Sequence, residues 1–131
     1  MIHAVLEWLR ASAQSYAPLA PVCVAGQLPA KTPAVCIRAD GGGEEIQNLD
    51  ARRVMRYSFS VLARSPSQAE ALALADVLSP LCRQKGWETG QDDFQIVVVE
   101  QQGAPAFVEQ SESMRDYVYA SGLEVHAFER D

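Results

Sequence analysis

The sequence has fewer basic residues than acidic ones. Among its 131 residues, 11 are lysine or arginine and 17 are aspartate or glutamate, so the formal net charge is −6. A protein that binds DNA without sequence preference needs cations to displace counterions from the phosphates. The composition therefore argues against tight nucleic-acid binding. A net charge away from zero also keeps a protein soluble, and we give that interpretation more weight.

Cysteine and histidine are scarce as well. The three cysteines, Cys23, Cys36 and Cys82, are odd in number and form no CxxC pair, which argues against a disulfide framework or a zinc site. Cys36 and Cys82 lie in apolar runs, and we predict that both are small core residues. His3 and His126 stand near opposite ends of the chain. We therefore predict no metal and no cofactor.

Long apolar runs are also missing. No stretch reaches the ~18 apolar residues that a membrane-spanning helix needs, and Glu7 and Arg10 interrupt the apolar residues at the N-terminus, unlike a signal peptide. Hydrophobic residues make up 48% and charged residues 21%, which is typical of globular proteins. We expect a single domain over residues 1–131 in a reducing, cytoplasmic environment.

No convincing catalytic set of side chains is present. Cys82 and His126 could form a nucleophile–base pair only if the fold brought them together, and a buried helical cysteine is more often inert. The acidic pairs Glu44–Glu45 and Asp92–Asp93 have no convergent set of further ligands, and we interpret both as solvated loop charge. The sequence therefore predicts that the protein is not an enzyme.

The first half of the chain does contain clear periodic patterns. Apolar residues at helical spacing predict a helix over 1–17. A proline-rich connection over 18–33 follows, with a short extended piece at 22–24. Strands are predicted over 34–39 and 53–64. We interpret the glycines between these strands as a turn, because the two glutamates after them would repel a phosphate.

The second half repeats the order of helix, strand and strand. Ser65 as N-cap, Pro66 and Gln68 predict a helix start, with a kink or fresh turn at Pro80 and an end at Gly86. Strands are predicted at 94–100 and at 116–129, where Gly122 suggests a bulge, and a polar loop at 101–115. The fold class is thus α+β, in the order α-β-β-α-β-β, with an antiparallel sheet and both helices on one face.

Four residues are candidates for a protein interface. Arg53 and Arg56 belong to a small basic cluster at the start of a predicted strand, where they could bind phosphate or pair with acidic loops or an acidic partner. Phe107 and Val108 form an apolar pair in a polar stretch. Exposed apolar groups often mark interfaces, although the loop could instead fold back and bury the pair.

The order of elements resembles the small tail-terminator, tail-completion or minor capsid proteins of tailed phages and prophages. The matching segments are the connection ending LPAKTP, the strands AVCIRADGGG and YSFSVLARS, the helix opening SPSQAEALALADVL and the last strand YVYASGLEVHAF. In that family an Arg-Ser commonly precedes an alanine-rich helix, as Arg64 and Ser65 do here. The likeness spans nearly the whole chain.

The resemblance implies a structural role without catalytic residues. Proteins of this family form a ring, usually a hexamer, on the head-proximal end of the tail tube; the ring stops tube growth and offers a surface for head attachment. By implication the partners would be other copies of the chain, the tube protein and a head–tail connector protein, with assembly in the host cytoplasm and a final place in the virion tail. Candidate contact surfaces are 41–50 and 101–115, and an acidic inner wall would let DNA pass.

Two alternatives remain open at this point. One is a neck or head-completion connector, which has a similar size and α+β character. The other is a small-ligand-binding α+β module, which would need a pocket between helix and sheet. The sequence does not separate these readings.

Overall fold

Five strands form one mixed sheet. The computed structural model describes residues 1–18, 20–24, 33–49, 52–84, 86–90, 93–110 and 116–129. The strands lie in the order β1-β2-β3-β5-β4, where β1 pairs parallel with β2 and all other neighbours are antiparallel. Their bounds are β1 Val22–Cys23, β2 Ala34–Leu49, β3 Arg52–Ser65, β4 Phe94–Gln110 and β5 Tyr117–Glu129.

The helices pack on one face of this sheet, which confirms the predicted fold class. They are α1 (Ile2–Tyr16), α2 (Gln68–Ala75) and the short α3 (Ser79–Cys82). Helix α1 lies on β1 and β2, and α2 lies on β3, β5 and β4. In the described part of the chain, no helix has both the length and the apolar character needed to cross a membrane.

The core lies between the helices and the strands. Apolar residues alternate with mostly polar ones along much of β3 and β5, and every second side chain there points towards the helices. Phe59, Val61 and Val125 are almost completely buried there, and burial of each such side chain stabilises the fold by about 1.5–3 kcal/mol. The buried Ser121 adds a hydrogen bond between α2 and β5, because its hydroxyl donates to the carbonyl of Ala75 at 2.6 Å.

The start of α2 differs from the prediction. Ser67 is the N-cap, and its hydroxyl accepts a hydrogen bond from the Glu70 amide at 3.3 Å. Ser65 is instead a buried residue at the end of β3; its hydroxyl accepts from the Ser67 amide and donates to the Glu70 carboxylate. Ser67 and Glu70 have the same spacing as Ser65 and Gln68, so the capping-box pattern fitted both registers.

The predicted fresh turn at Pro80 is confirmed. Helix α2 ends at Ala75, two short turns follow, and α3 begins at Ser79 with Pro80 in its first turn. A proline is accepted there because the first amides of a helix have no intrahelical partner. The apolar residues that recur at helical spacing from Ala71 to Leu81 therefore span two helices rather than one.

Strand β2 continues through the glycines, where the sequence predicted a turn. Gly42 pairs with Tyr57 and Glu44 pairs with Arg56, with register shifts around both. An added Cβ at Gly42 would lie 2.7 Å from the Tyr57 Cα, so only glycine fits this close approach. The interpretation of Glu44–Glu45 as loop residues was wrong. Asp92 lies outside the described residues.

Strand β4 also extends far beyond its predicted end. It runs to Gln110, and the expected polar loop after residue 100 is the second half of this strand. The segment was misread because it is irregular: Gly103, Ala104 and Pro105 stand opposite the single residue Ser121. Bulges of this kind are common on edge strands. The irregularity lies in β4, across from Ser121 and next to the regular pair Gln102–Gly122, and not in β5 as predicted.

Candidate interaction surfaces

Phe107 and Val108 are exposed on the edge strand β4. Their exposed fractions are 53% and 50%, so the alternative in which the segment buries the pair is wrong. Phe107 stands directly opposite Tyr119, and Val108 is the extra residue of a bulge before the pair Glu109–Val118. A bulge redirects the side chain of the inserted residue, which accounts for the outward position of Val108.

The Phe107 ring is held in place although it is exposed. It packs edge-on against Tyr119, with 5.7 Å between ring centroids and 75° between planes. The Tyr119 hydroxyl in turn accepts a hydrogen bond of 2.8 Å from the Gln68 amide at the start of α2. An aromatic side chain fixed in this way loses little conformational entropy on binding, which favours affinity.

Arg53 and Arg56 lie elsewhere. Both are on β3, near the end of the sheet where β2 and β3 meet, and Arg53 is exposed. Arg56 stands opposite His126 on β5, and its Nε lies 3.5 Å from the Glu124 carboxylate. Arg56 is thus already paired within the chain, which agrees with pairing to acidic groups rather than with a site kept for phosphate.

Glu124 is the centre of a polar cluster on the sheet face that points away from the helices, called here the open face. Its carboxylate lies 2.8 Å from His126 Nε2 and accepts a hydrogen bond of 2.9 Å from the Gln102 side-chain amide. Together with Arg56, these contacts join β3, β5 and β4. They also offset the presence of Glu100 directly opposite Glu124, since like charges in that position destabilise a sheet.

A second polar contact occupies the open face between β2 and β3. Asp40 accepts a 2.8 Å hydrogen bond from Arg38 Nε and another from the Ser60 hydroxyl. Asp40 is the extra residue of a bulge, because Ala39 pairs with Phe59 and Gly41 with Ser58. The middle of the open face is therefore polar and internally paired, in contrast to the apolar face under the helices.

The two pairs of predicted interface residues do not form one surface. Phe107 is level with Tyr119 and Ala63, whereas Arg56 precedes Ala63 on β3 by seven positions. That separation is about 23 Å of strand. Phe107 also lies on the helix side of the sheet, and Arg56 lies on the open face. Their role at an interface stays a prediction, and it would have to involve two separate contacts.

The cysteine–histidine pair that would be needed for nucleophilic catalysis does not form. His126 lies on the open face, because its neighbours Val125 and Ala127 point into the core. Cys82 packs against the core from α3, on the other side of the sheet. Burial raises the pKa of the Cys82 thiol, and so does Asp76 nearby, which disfavours the reactive thiolate. Cys36 is buried, as predicted, while Cys82 is half-buried.

A groove of about 550 Å³ lies beside the helices. It is bounded by the end of α1 and the following connection on one side, and by α2 and α3 on the other. Among its lining residues are Tyr16, Leu74 and Val77, with Glu70 and Asp76 as its acids. The alternative of a small-ligand-binding module predicted a pocket between helix and sheet, whereas this groove lies among the helices. In the part of the chain that is described, no cluster of side chains suits a metal ion.

The second edge of the sheet carries exposed apolar side chains that the sequence did not single out. Val24 directly follows β1 and Tyr16 ends α1, and each is 40% exposed. Gln14 ties these two segments together: its amide donates to the carbonyls of Ala17 and Ala20, and its side-chain oxygen accepts from the Val22 amide. The extended piece at 22–24 was the signal for this edge, but a sequence pattern does not reveal that it is outermost.

The comparisons with known proteins concern the fold. No protein-family model matches the chain, and no curated protein matches it by sequence. Among solved structures, the chain is similar to a chain of the "Virion of native gene transfer agent (GTA) particle", with a TM-score of 0.53 and 13% identity. The likeness covers 98% of this chain and 93% of that one. At this identity it shows a shared fold.

Proposed function

We propose that this protein is a structural subunit of a phage-like particle. The observation that carries the proposal is the match of the whole chain to a component of a gene transfer agent virion, which leaves little of either chain uncovered. A shared fold does not by itself imply a shared function. The element order and the Arg64–Ser65 dipeptide, which resemble those of tail-terminator proteins, point to the same kind of particle independently of the structural match.

At a finer level, we propose that copies of the chain form a ring that ends the tail tube and joins it to the head. The features that support this role are an exposed aromatic anchor at one sheet edge and exposed apolar side chains at the other. A closed ring needs two different contact surfaces on each subunit. The net charge of −6 suits a channel through which DNA passes without binding.

The proposed role involves no catalysis. It requires only contacts with other copies, with the tube protein and with a connector protein on the head side. The one nucleophile–base pair suggested by the sequence, Cys82 with His126, is divided by the sheet. A double variant Cys82→Ser, His126→Gln should therefore assemble into particles as the parent does.

The test is to interrupt the reading frame in the strain that carries it and to examine the particles by electron microscopy. We expect heads without tails, together with tubes of uncontrolled length, because the step that stops tube growth would be lost. A plasmid copy of the gene should restore tails of uniform length. Particles of normal number and shape without the protein would contradict the proposal.

The same experiment separates the neck or head-completion alternative. A connector on the head side is needed for joining but not for ending the tube, so its loss should leave free tails of normal, uniform length beside tailless heads. The distribution of tube lengths is therefore the quantity to measure. A narrow distribution of tube lengths would indicate that the protein acts on the head side of the junction rather than on the tail.

A further inference from the structure

The sheet has two outer strands, and each offers backbone groups to a further strand. In the described residues, β1 and β4 each pair on one side only. An outer strand directs a row of amides and carbonyls away from the sheet, and pairing with another chain is the usual way to satisfy them. Such pairing between copies needs no new element, only that the two edges match.

The exposed apolar side chains of the two edges lie within about two residues of one common level of the sheet. One row of paired residues runs from β1 to β4 through every strand: Val22, Val35, Ala63, Tyr119 and Phe107. Val24 lies two residues beyond this row on β1, at the level of Ile37, and Val108 lies one residue beyond it on β4 in the other direction, towards the level of Val118. At about 3.3 Å per residue, a displacement of about 10 Å along the strands between side-by-side copies would bring Val24 of one copy opposite Val108 of the next.

The strand directions are also compatible with this arrangement. Because β1 is parallel to β2 and the remaining pairs are antiparallel, β4 runs opposite to β1. When two copies stand side by side in the same orientation, β4 of one and β1 of the next run antiparallel. This is the more stable kind of strand pair. The match holds for a head-to-tail contact, in which each copy uses both edges.

The β1 edge can form a short strand pairing with a neighbouring copy rather than a long one. Successive residues of a strand direct their amides and carbonyls to opposite sides. Since Pro21 bonds to Val35 on β2, Val22 and Val24 direct theirs outward. The Val22 amide is taken by Gln14 at 3.1 Å, whereas the Val22 carbonyl and the Val24 backbone groups are directed towards the position of a neighbouring strand. On β4, the bulges at 103–105 and at Val108 limit regular pairing to a few residues around Phe107.

We propose that copies of this chain associate head to tail through their sheet edges, with Phe107 and Val108 of β4 in one copy packed against Val24 and β1 of the next. The partner is a second copy, because the two edges complement each other in strand direction and in apolar character, and their exposed side chains are offset by only about 10 Å along the strands. Phe107 acts as the anchor, since Tyr119 and Gln68 already hold its ring in one position. This inference deepens the proposed function and rests on it for the closed ring, but the edge contact itself does not depend on the tail.

Mixed disulfide formation tests the contact directly. Two single variants, Val24→Cys and Val108→Cys, are made in a background with Cys23→Ser and Cys82→Ser, which leaves only the buried Cys36. We expect the mixture of the two, under mild oxidation, to give a disulfide-linked heterodimer, and each variant alone to give little. His3→Cys is the control for Val24→Cys, because His3 is exposed but belongs to α1, near the opposite end of the sheet. Circular dichroism verifies that each variant is folded.

Three results would overturn the inference. The first is a mixture that yields no more heterodimer than the His3→Cys control. The second is a Val108→Cys variant that links to itself as well as to Val24→Cys, which would indicate a two-fold contact. The third is a parent protein that remains monomeric at every concentration reached.

A charge placed at the anchor provides the second test. Phe107→Glu should raise the dissociation constant between copies at least tenfold, because truncation of a central aromatic anchor commonly has effects of this size. Leu72→Glu is the matched control: Leu72 is exposed to 41% on α2, away from both edges, and its replacement should leave association unchanged. Equal effects of the two substitutions would contradict the edge contact.

These results are distinguishable from a failure of the proposed function. Particles that are unaffected by loss of the gene, combined with a disulfide between Val24→Cys and Val108→Cys, would reject the tail role and keep the edge contact. Tubes of uncontrolled length, combined with no heterodimer, would keep the tail role and reject this contact.

Discussion

The two faces of the sheet consist of the same strands but are stabilised in different ways. On the helix side, β3 and β5 bury Phe59, Val61 and Val125 under α1 and α2. On the open face, the residues between them carry charges and amides that bond across strands, with Glu124 and Asp40 as the main acceptors. The difference shows where the free energy of folding comes from: burial of a large apolar cluster under the helices, and near-neutral polar pairing in the middle of the open face, whose margins hold buried apolar residues such as Cys36, Val118 and Phe128.

The largest effect should come from the buried side. Phe59→Ala should lower the free energy of unfolding by about 3–5 kcal/mol, because it removes a buried ring and leaves a cavity. Ser60→Ala, one position further on the open face, should cost no more than about 1 kcal/mol for the lost hydrogen bond to Asp40. Urea denaturation of both variants measures the contrast. Similar losses would mean that the two faces contribute equally.

The next largest loss of stability is expected at Gly42, where β2 closely approaches Tyr57 of β3. Gly42→Ala should destabilise by about 2–3 kcal/mol, since its Cβ would meet the Tyr57 backbone and φ is +144°. Gly43→Ala is the control, because its φ of +89° is also unfavourable but nothing lies within 4 Å of the added Cβ. Its cost should be about 1 kcal/mol. If Gly43→Ala proved as damaging as Gly42→Ala, the close approach of β2 and β3 would not be the cause.

A smaller effect is expected at the centre of the open face. Glu124→Ala removes contacts to Arg56, His126 and Gln102 but also the repulsion from Glu100. The net loss should be about 1 kcal/mol or less, because the lost contacts and the relieved repulsion oppose each other. Its Arg56 part should shrink in about 1 M salt, since the Arg56 side chain is 40% exposed, although that of Glu124 is only 17% exposed. Denaturation at two salt concentrations measures it. A loss as large as that of Phe59→Ala, unchanged by salt, would contradict the comparison.

The smallest effect should appear only at high pH. Burial raises the pKa of Tyr57, and the negative charge of Glu129 raises it further. The unfolded chain therefore releases this proton first, near pH ~10, so stability is intact below that pH and falls as pH rises through the folded pKa. Tyr57→Phe should weaken this alkaline decline in the free energy of unfolding. Parallel declines in parent and variant would show that Tyr57 is not involved.

The sequence was sufficient for the parts of the fold in which local pattern and tertiary contacts agree. The alternation in β3 and β5 and the apolar stripe of α1 each match the buried face that the structure shows. It failed in β2 and β4, where glycines, a proline and charges interrupt the pattern. These residues are tolerated because β4, and the part of β2 beyond its short pairing with β1, can bulge on the side where no described strand lies. Only the partner strand reveals the pairing. The N-cap at Ser67 was missed because two serines fitted one motif.

For the candidate surfaces, residue type was more informative than position. Phe107 and Val108 were recognisable as apolar residues in polar surroundings, but their place on an edge strand depends on β4 being outermost. Val24 was not recognisable, since its significance comes from the row that joins the two edges. Arg53 and Arg56 were selected as a charge cluster, whereas the structure shows Arg56 bonded within the open face.

The most direct test of the account is the native mass of the purified protein over a series of concentrations, measured by native mass spectrometry with light scattering as a check. A head-to-tail contact that closes predicts one oligomer of fixed size above a threshold concentration, and Phe107→Glu should abolish it. A strict monomer throughout, or open-ended growth without a preferred size, would contradict the account.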